Sequence, residues 1–161
     1  MTIWVVDASP LIFLSKLDRL DLLRKGADTV YVPQAVLDEI QAKPDEATIA
    51  VEQAGRSWLS ILQVDNRSTV EILLADLDLG EAEVIALARE IKADRVVMDD
   101  LDARRLARRV GLDLIGTMGL LLAAHLRGEI PSMREEIEQL RAFGFHVSPS
   151  LVEAILREAR K

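Results

Sequence analysis

Acidic residues close the most strand-like segments of the chain. Asp7 follows Ile3-Trp4-Val5-Val6, and Asp99 and Asp100 follow Arg95-Val96-Val97-Met98. Glu39 lies in a helix-like segment and Glu81 follows Gly80 at the start of another. In an open α/β sheet, ligands bind beyond the carboxyl ends of parallel strands. Acids gathered there point to a divalent cation, because Mg²⁺ and Mn²⁺ prefer carboxylate, water and phosphate oxygens. Carboxylates from separate elements suit one or two such ions, and two ions roughly 3.5–4 Å apart can position a water and stabilise the leaving oxygen of a phosphodiester. Ordinary roles stay open for the same residues. Glu81 sits where a helix dipole favours an acid, Glu39 fits a solvated helix face, Asp7 fits a turn before Ser9-Pro10, and Asp102 fits a cap for the helix that follows it.

The other polar residues offer less. The chain has no cysteine, which excludes disulfides, thiolate metal sites and cysteine nucleophiles. His125 and His146 stand far apart without a Ser/His/Asp motif, so packing or surface roles are expected for both. Gly26, Gly55 and Gly80 are isolated, so they do not form a glycine-rich phosphate loop. Arg104, Arg105, Arg108 and Arg109 are the densest basic cluster, pairing at i,i+4 across one broad helix side. That side is either solvated or placed to hold a phosphate backbone, with Arg105 expected nearest the acids and Lys16 a weaker candidate. Ser9 either caps a helix or hydrogen-bonds Asp7 or a metal-bound water. Thr117, after Gly116, caps a helix, positions a carboxylate or contacts substrate.

These residues need elements to hold them. Strands are expected at 3–6, 30–32, 58–64, 95–98 and 113–115. Leu11, Leu14, Leu17, Leu20 and Leu23 predict one helix over 11–23, opened by Ser9 as cap and Pro10 at its first position. Further helices are expected at 34–42, 44–54, 81–92, 102–110, 118–127, 131–143 and 149–160, the last capped by Ser148. Residues 70–78 read as either helix or loop. Strands alternating with helices predict a three-layer α/β/α sandwich around a mainly parallel sheet.

A length of 161 residues predicts one domain over 1–161, with a hydrophobic fraction of 50% and an aromatic fraction of only 4% giving it an aliphatic core. The net charge of −7 argues against a non-specific nucleic-acid binder, though not against a nuclease that meets its substrate through metal ions. Met1 runs straight into a strand, and the apolar stretch 112–126 is interrupted by Asp113, Gly116 and Gly119. A cytoplasmic protein with no membrane association is expected.

In order and spacing, these segments resemble the PIN domains, the metal-dependent ribonuclease fold that includes the VapC-type toxins. Val5-Val6-Asp7-Ala8-Ser9-Pro10-Leu11-Ile12 is similar to the family's first strand, first acid and following hydroxyl residue. Val32 through Ile40 resembles the segment carrying the second acid, here Glu39, and Leu79 through Ala88 the helix carrying the third, here Glu81. Val96-Val97-Met98-Asp99-Asp100 resembles the strand carrying the fourth. Gly80-Glu81, Arg104-Arg105 and Gly111 through Gly119 resemble a prokaryotic subgroup of the family known mainly by prediction. Two features depart from the pattern: the third acid is Glu where most toxin members have Asp, and the fourth position offers two adjacent acids.

The resemblance implies Mg²⁺ or Mn²⁺ held by Asp7, Glu39, Glu81 and Asp99 or Asp100. It implies cleavage of single-stranded RNA, with Ser9, Arg104, Arg105 and Thr117 as candidates to bind it. It further implies a small antitoxin as partner and a homodimer. The apolar faces of 11–23 and 44–54 would serve such contacts or belong to the core. Two other readings stand beside it: a catalytically weak or inactive protein-interaction module, and a structure-specific DNA nuclease using the same acids.

Overall fold

A computed structural model describes residues 1–160. Among them, strands and helices alternate as β1 (Ile3–Val6), α1 (Ala8–Lys16), α2 (Asp21–Gly26), β2 (Thr29–Pro33), α3 (Gln34–Ala42), α4 (Glu46–Gly55), β3 (Leu59–Leu62) and α5 (Arg67–Leu73). The chain continues with α6 (Leu79–Glu90), β4 (Arg95–Val97), α7 (Leu101–Arg109), β5 (Leu114–Ile115), α8 (Thr117–Leu126), α9 (Met133–Ala142) and α10 (Pro149–Ala159). No helix among the described residues is long and apolar enough to cross a membrane.

The five strands form one sheet in the order β3-β2-β1-β4-β5, and every pairing is parallel. Helices flank the sheet in the three-layer α/β/α arrangement read from the sequence. From β1 the chain moves outward to β2 and β3, then crosses back to place β4 on the other side of β1. The direction of winding therefore reverses between β1 and β4, where the crossovers part and leave a crevice. Val5 pairs with Val96 and Val6 with Val97, so both strands end level. The Asp7 N–H donates to the Val97 carbonyl at 2.9 Å, which carries the ladder right up to the acid.

The core is aliphatic. Helix α6 is its centre: Ala82, Glu83, Val84, Ile85, Ala86, Leu87 and Ala88 are all buried, and the helix packs across β1, β2 and β4. A helix apolar nearly all round must be covered on every side, and α3 and α5 cover the face turned from the sheet.

The single helix expected over 11–23 is two helices. Leucines three residues apart drift by about 60° per step around an α-helix, so a run of five cannot share one buried face. The chain resolves this by ending α1 at Leu17, placing Asp18 in the left-handed region at φ 59°, and starting α2 at Asp21. Leu11, Leu14, Leu17, Leu22 and Leu23 are thereby all buried. The cap of α1 is Asp7, not Ser9, so Pro10 falls at the third helical position. That position still lies in the first turn, where no intrahelical N–H bond is lost. Residues 67–73 are helical, with Asn66 as cap. The cap of α7 is Asp100, not Asp102.

One buried acid locks the two acid-bearing helices together. Pro33 begins α3 without a side-chain cap, and Glu83 of α6 takes its place: Oε1 accepts from the Ala35 N–H at 3.0 Å. Its Oε2 pairs with Arg67 of α5 at 2.8 Å. Glu83 thus points away from Glu81 and fixes α3 against α6. Glu83→Ala should remove about 2 kcal/mol of stability, since hydrogen bonds to a charged acceptor contribute about 1.5–3 kcal/mol. Urea unfolding should show a lower midpoint with an unchanged slope; an unchanged midpoint would mean that apolar packing alone holds α3.

A carboxylate-lined cavity at the switch point of the sheet

The crevice between β1 and β4 opens into a cavity of about 400 Å³ lined by Asp7, Glu39, Asp78, Glu81, Asp99 and Asp100. All five acids singled out in the sequence are present, drawn from β1, α3, α6 and the end of β4. Asp78 is an addition. It caps α6 in a reciprocal box: its Oδ1 accepts from the Glu81 N–H at 2.8 Å, while Glu81 Oε1 accepts from the Asp78 N–H at 3.2 Å. The Asp-x-x-Glu spacing before an apolar helix carries that signal in the sequence.

Each acid is fixed differently. Asp7 is buried, 6% exposed, and its Oδ1 accepts from the Ala8 N–H at 2.8 Å. Glu39 sits at the rim, where the bare Gly80 lets α3 and α6 approach; a Cβ on Gly80 would lie 3.2 Å from Glu39 Oε1. Asp99 is held on both oxygens. Ser9 Oγ and Thr117 Oγ1 each donate to its Oδ2 at 2.7 Å, and the Thr117 N–H donates to its Oδ1 at 2.7 Å. Asp100 Oδ2 accepts from the Ala103 N–H at 2.9 Å, which leaves Oδ1 without a hydrogen bond among the described residues.

The hydroxyl residues therefore serve the acids. Ser9, which also lines the cavity, and the fully buried Thr117 tie Asp99 to α1 and α8. The cap position of α8 is Gly116, not Thr117. The arginines differ from expectation too. Arg104, not Arg105, lies closer to the acids: its Nη1 donates to the Met98 carbonyl at 2.9 Å and would meet a Cβ on Gly116. Half-buried, it braces the turn after β4. Arg105 is exposed, pairs with Asp102 at 3.1 Å, and lines a neighbouring groove with Asp76, Leu77, Leu106 and Arg109. The helical rotation between positions 104 and 105, about 100°, sends the two side chains to different sides of α7.

Electrostatically the cavity is only partly compensated, by Arg104 acting on Asp99 from the turn after β4. None of its six carboxylates takes part in a salt bridge among the described residues. Burial first, then the charges of Glu81, Glu39 and Asp78, push Asp7 up to about 8 against the opposing Ala8 hydrogen bond. Burial likewise raises Glu81 to about 7, with the charges of Asp78, Asp100 and Glu39 adding to it and the backbone bond at Asp78 opposing. Partial burial and then Asp78 raise Glu39. Clustered hard oxygen donors with so little counter-charge match the chemistry of Mg²⁺ or Mn²⁺. As the side chains stand, no three described His, Asp or Glu residues converge closely enough to hold an ion. Binding one would require the carboxylates to rotate inward, against a repulsion that the ion itself would remove.

The opposite wall of the cavity is unlike this one. Phe13 of α1 and Gly144, Phe145 and His146 after α9 join Ala8 and Ser9 in completing the lining. None of them was a sequence-level candidate. For His146 the sequence gives only a packing or surface role, since nothing local pairs it with acids so far away along the chain.

A family model described as a PIN domain matches residues 3–161. No curated protein matches the chain.

The raised carboxyls make stability fall as pH rises. Below pH 4 the folded and unfolded chains both carry the Asp7 proton. Between the ordinary aspartate value of 3.8 and about 8, the unfolded chain has released that proton and the folded chain has kept it. The folded state then binds more protons, so stability declines across that window. Glu81 adds to the decline between 4.5 and about 7. Thermal melts of metal-free protein should show a higher midpoint near pH 5 than near pH 8, with a shallower slope in Asp7→Asn. A flat wild-type profile would show that these carboxylates ionise freely.

Proposed function

The chain belongs to the PIN-domain family, whose members are in general nucleases, and on that premise we infer that it is a Mg²⁺- or Mn²⁺-dependent endoribonuclease acting on single-stranded RNA. The observation that carries this reading is the set of six carboxylates at the switch point, with Asp7 buried and none of them in a salt bridge among the described residues. A toxin role, with a small antitoxin as partner and a homodimer as the assembly, comes with the resemblance to VapC-type proteins.

In this reading Asp7, Glu39, Glu81 and Asp100 would hold the ion. Each keeps at least one oxygen without a hydrogen bond among the described residues. When bound, a divalent ion lowers the pKa of water and draws charge from phosphoryl oxygens. Asp99 has a different task. Its oxygens already accept three hydrogen bonds, so it steadies the end of β4 and sets the direction of Asp100. Asp7 and Glu81 must give up protons to receive a cation, so affinity for Mn²⁺ rises with pH through neutrality. Arg105 and Arg109 lie in the groove next to Asp102, outside the cavity, where they can meet backbone phosphates leaving it.

A protein-interaction module is favoured by one observation, that the acids are not drawn together around an ion site as they stand. Cleavage of a generic single-stranded RNA with Mn²⁺, with and without EDTA, separates the two readings. The nuclease reading expects cleavage by the wild type, its loss in EDTA, and a drop of at least about a hundredfold in Asp7→Asn without loss of fold; full activity in that variant would sink the assignment. A flapped DNA in the same assay tests the DNA-nuclease alternative, and calorimetry with Mn²⁺ tests for a module that binds no ion. Arg105→Ala should raise KM for RNA several-fold and leave the Kd for Mn²⁺ unchanged, because the guanidinium faces the neighbouring groove; an unchanged KM would remove Arg105 from the substrate path.

A further inference from the structure

The chain is poor in aromatic residues, at 4%, with three phenylalanines and two histidines in all. Two of those phenylalanines and one of those histidines line the acid cavity. Phe13 and Phe145 meet edge to face, with ring centroids 5.0 Å apart and planes at 86°. Both are only partly buried, at the margin of the core, so core packing does not use all of their surface. His146 is exposed, and neither ring nitrogen has a hydrogen-bond partner among the described residues.

This wall is held in place by backbone geometry. Helix α9 ends at Ala142, and Gly144 takes a φ of 97°, in the left-handed region that favours glycine. The Gly144 N–H donates to the Arg141 carbonyl at 3.0 Å and the Phe145 N–H to the Leu140 carbonyl at 2.9 Å. That is the two-bond Schellman closure. It turns the chain back across the helix end, sets Phe145 on Phe13, and brings His146 into the lining of the cavity.

We propose that Phe13, Phe145 and His146 form a stacking subsite for one unpaired nucleobase, so that the cavity takes a nucleotide with its base on the aromatic wall and its phosphate toward the carboxylates. The phosphate half rests on the nuclease reading; the base half does not. Flat π-faced bases stack on Phe and His side chains with little regard to sequence. A duplex keeps its bases inside its own stack, so only a single strand or an extruded base can fill such a wall. The arrangement thereby selects strand state and not sequence. Phe13 and Phe145 supply the apolar platform, and His146 supplies a further ring face.

Fluorescence anisotropy with an end-labelled single-stranded RNA of twelve nucleotides in Ca²⁺, its integrity checked on a gel, tests the subsite without relying on turnover. His146→Ala should raise Kd about tenfold, in line with the loss of one stacked base, and His146→Phe should restore most of it. Phe145→Leu, which keeps an apolar contact with Phe13, should weaken binding to a similar degree. A strand of the same length with all its bases removed should bind the wild type and His146→Ala alike. Equal Kd values for wild type, His146→Ala and Phe145→Leu on the intact strand would overturn the subsite, as would no binding at all. The two readings fail separately. Stacking-dependent binding by a wild type that never cleaves keeps the subsite and removes the nuclease; Mn²⁺-dependent cleavage with identical KM in all variants does the reverse.

Discussion

Like charges gathered around one partly buried cavity are the constraint that the rest of the molecule answers to. Six carboxylates share one cavity, none is paired with a lysine or arginine among the described residues, and the deepest of them is held near neutrality by its surroundings. A buried unpaired carboxylate is unfavourable, so the fold must compensate by other means. It does so with backbone dipoles. Asp7 caps α1, Asp78 and Glu81 close a box at the start of α6, Asp100 caps α7, and Asp99 accepts the first N–H of α8. Four helices therefore begin at the cavity, each directing its positive end and its unpaired N–H groups at an acid.

The parallel sheet makes that convergence possible. In a parallel arrangement every strand ends on the same edge and every following helix starts there. The reversal of winding between β1 and β4 then opens a gap in which side chains from both halves meet. Glu83 and Gly80 complete the arrangement from the helical layer. The first clamps α3 to α6, and the second removes the Cβ that would keep Glu39 from its neighbours. The acids are thus supported by groups that never touch the cavity itself.

Much of this is legible in the sequence because it is local. Short aliphatic runs ending in Asp, and Gly-Glu before a run of alanines and valines, mark strand ends and a helix start wherever they occur. What is not legible depends on three-dimensional placement. That Asp99 and not Asp100 accepts from Ser9 and Thr117 depends on residues far away along the chain. Arg104 and Arg105 are adjacent in sequence but point to different sides of one helix. The break at Asp18 follows from a leucine spacing that looks helical residue by residue but drifts over five repeats. The aromatic wall is the most distant case, since Phe13 and Phe145 meet only after the whole sheet lies between them.

The bond between Ser9 and Asp99 spans 90 residues, and Thr117 must join before Asp99 is fully held. No contiguous piece of the chain shorter than that span contains the assembled cavity. As the polypeptide leaves the ribosome, its first strand and first acid emerge early, but the gathering of charge waits for β4, β5 and the start of α8. The aromatic wall arrives later still. The cavity is therefore complete only late in synthesis, and a chain truncated in transit, or clipped before residue 117, carries the acids without their full support.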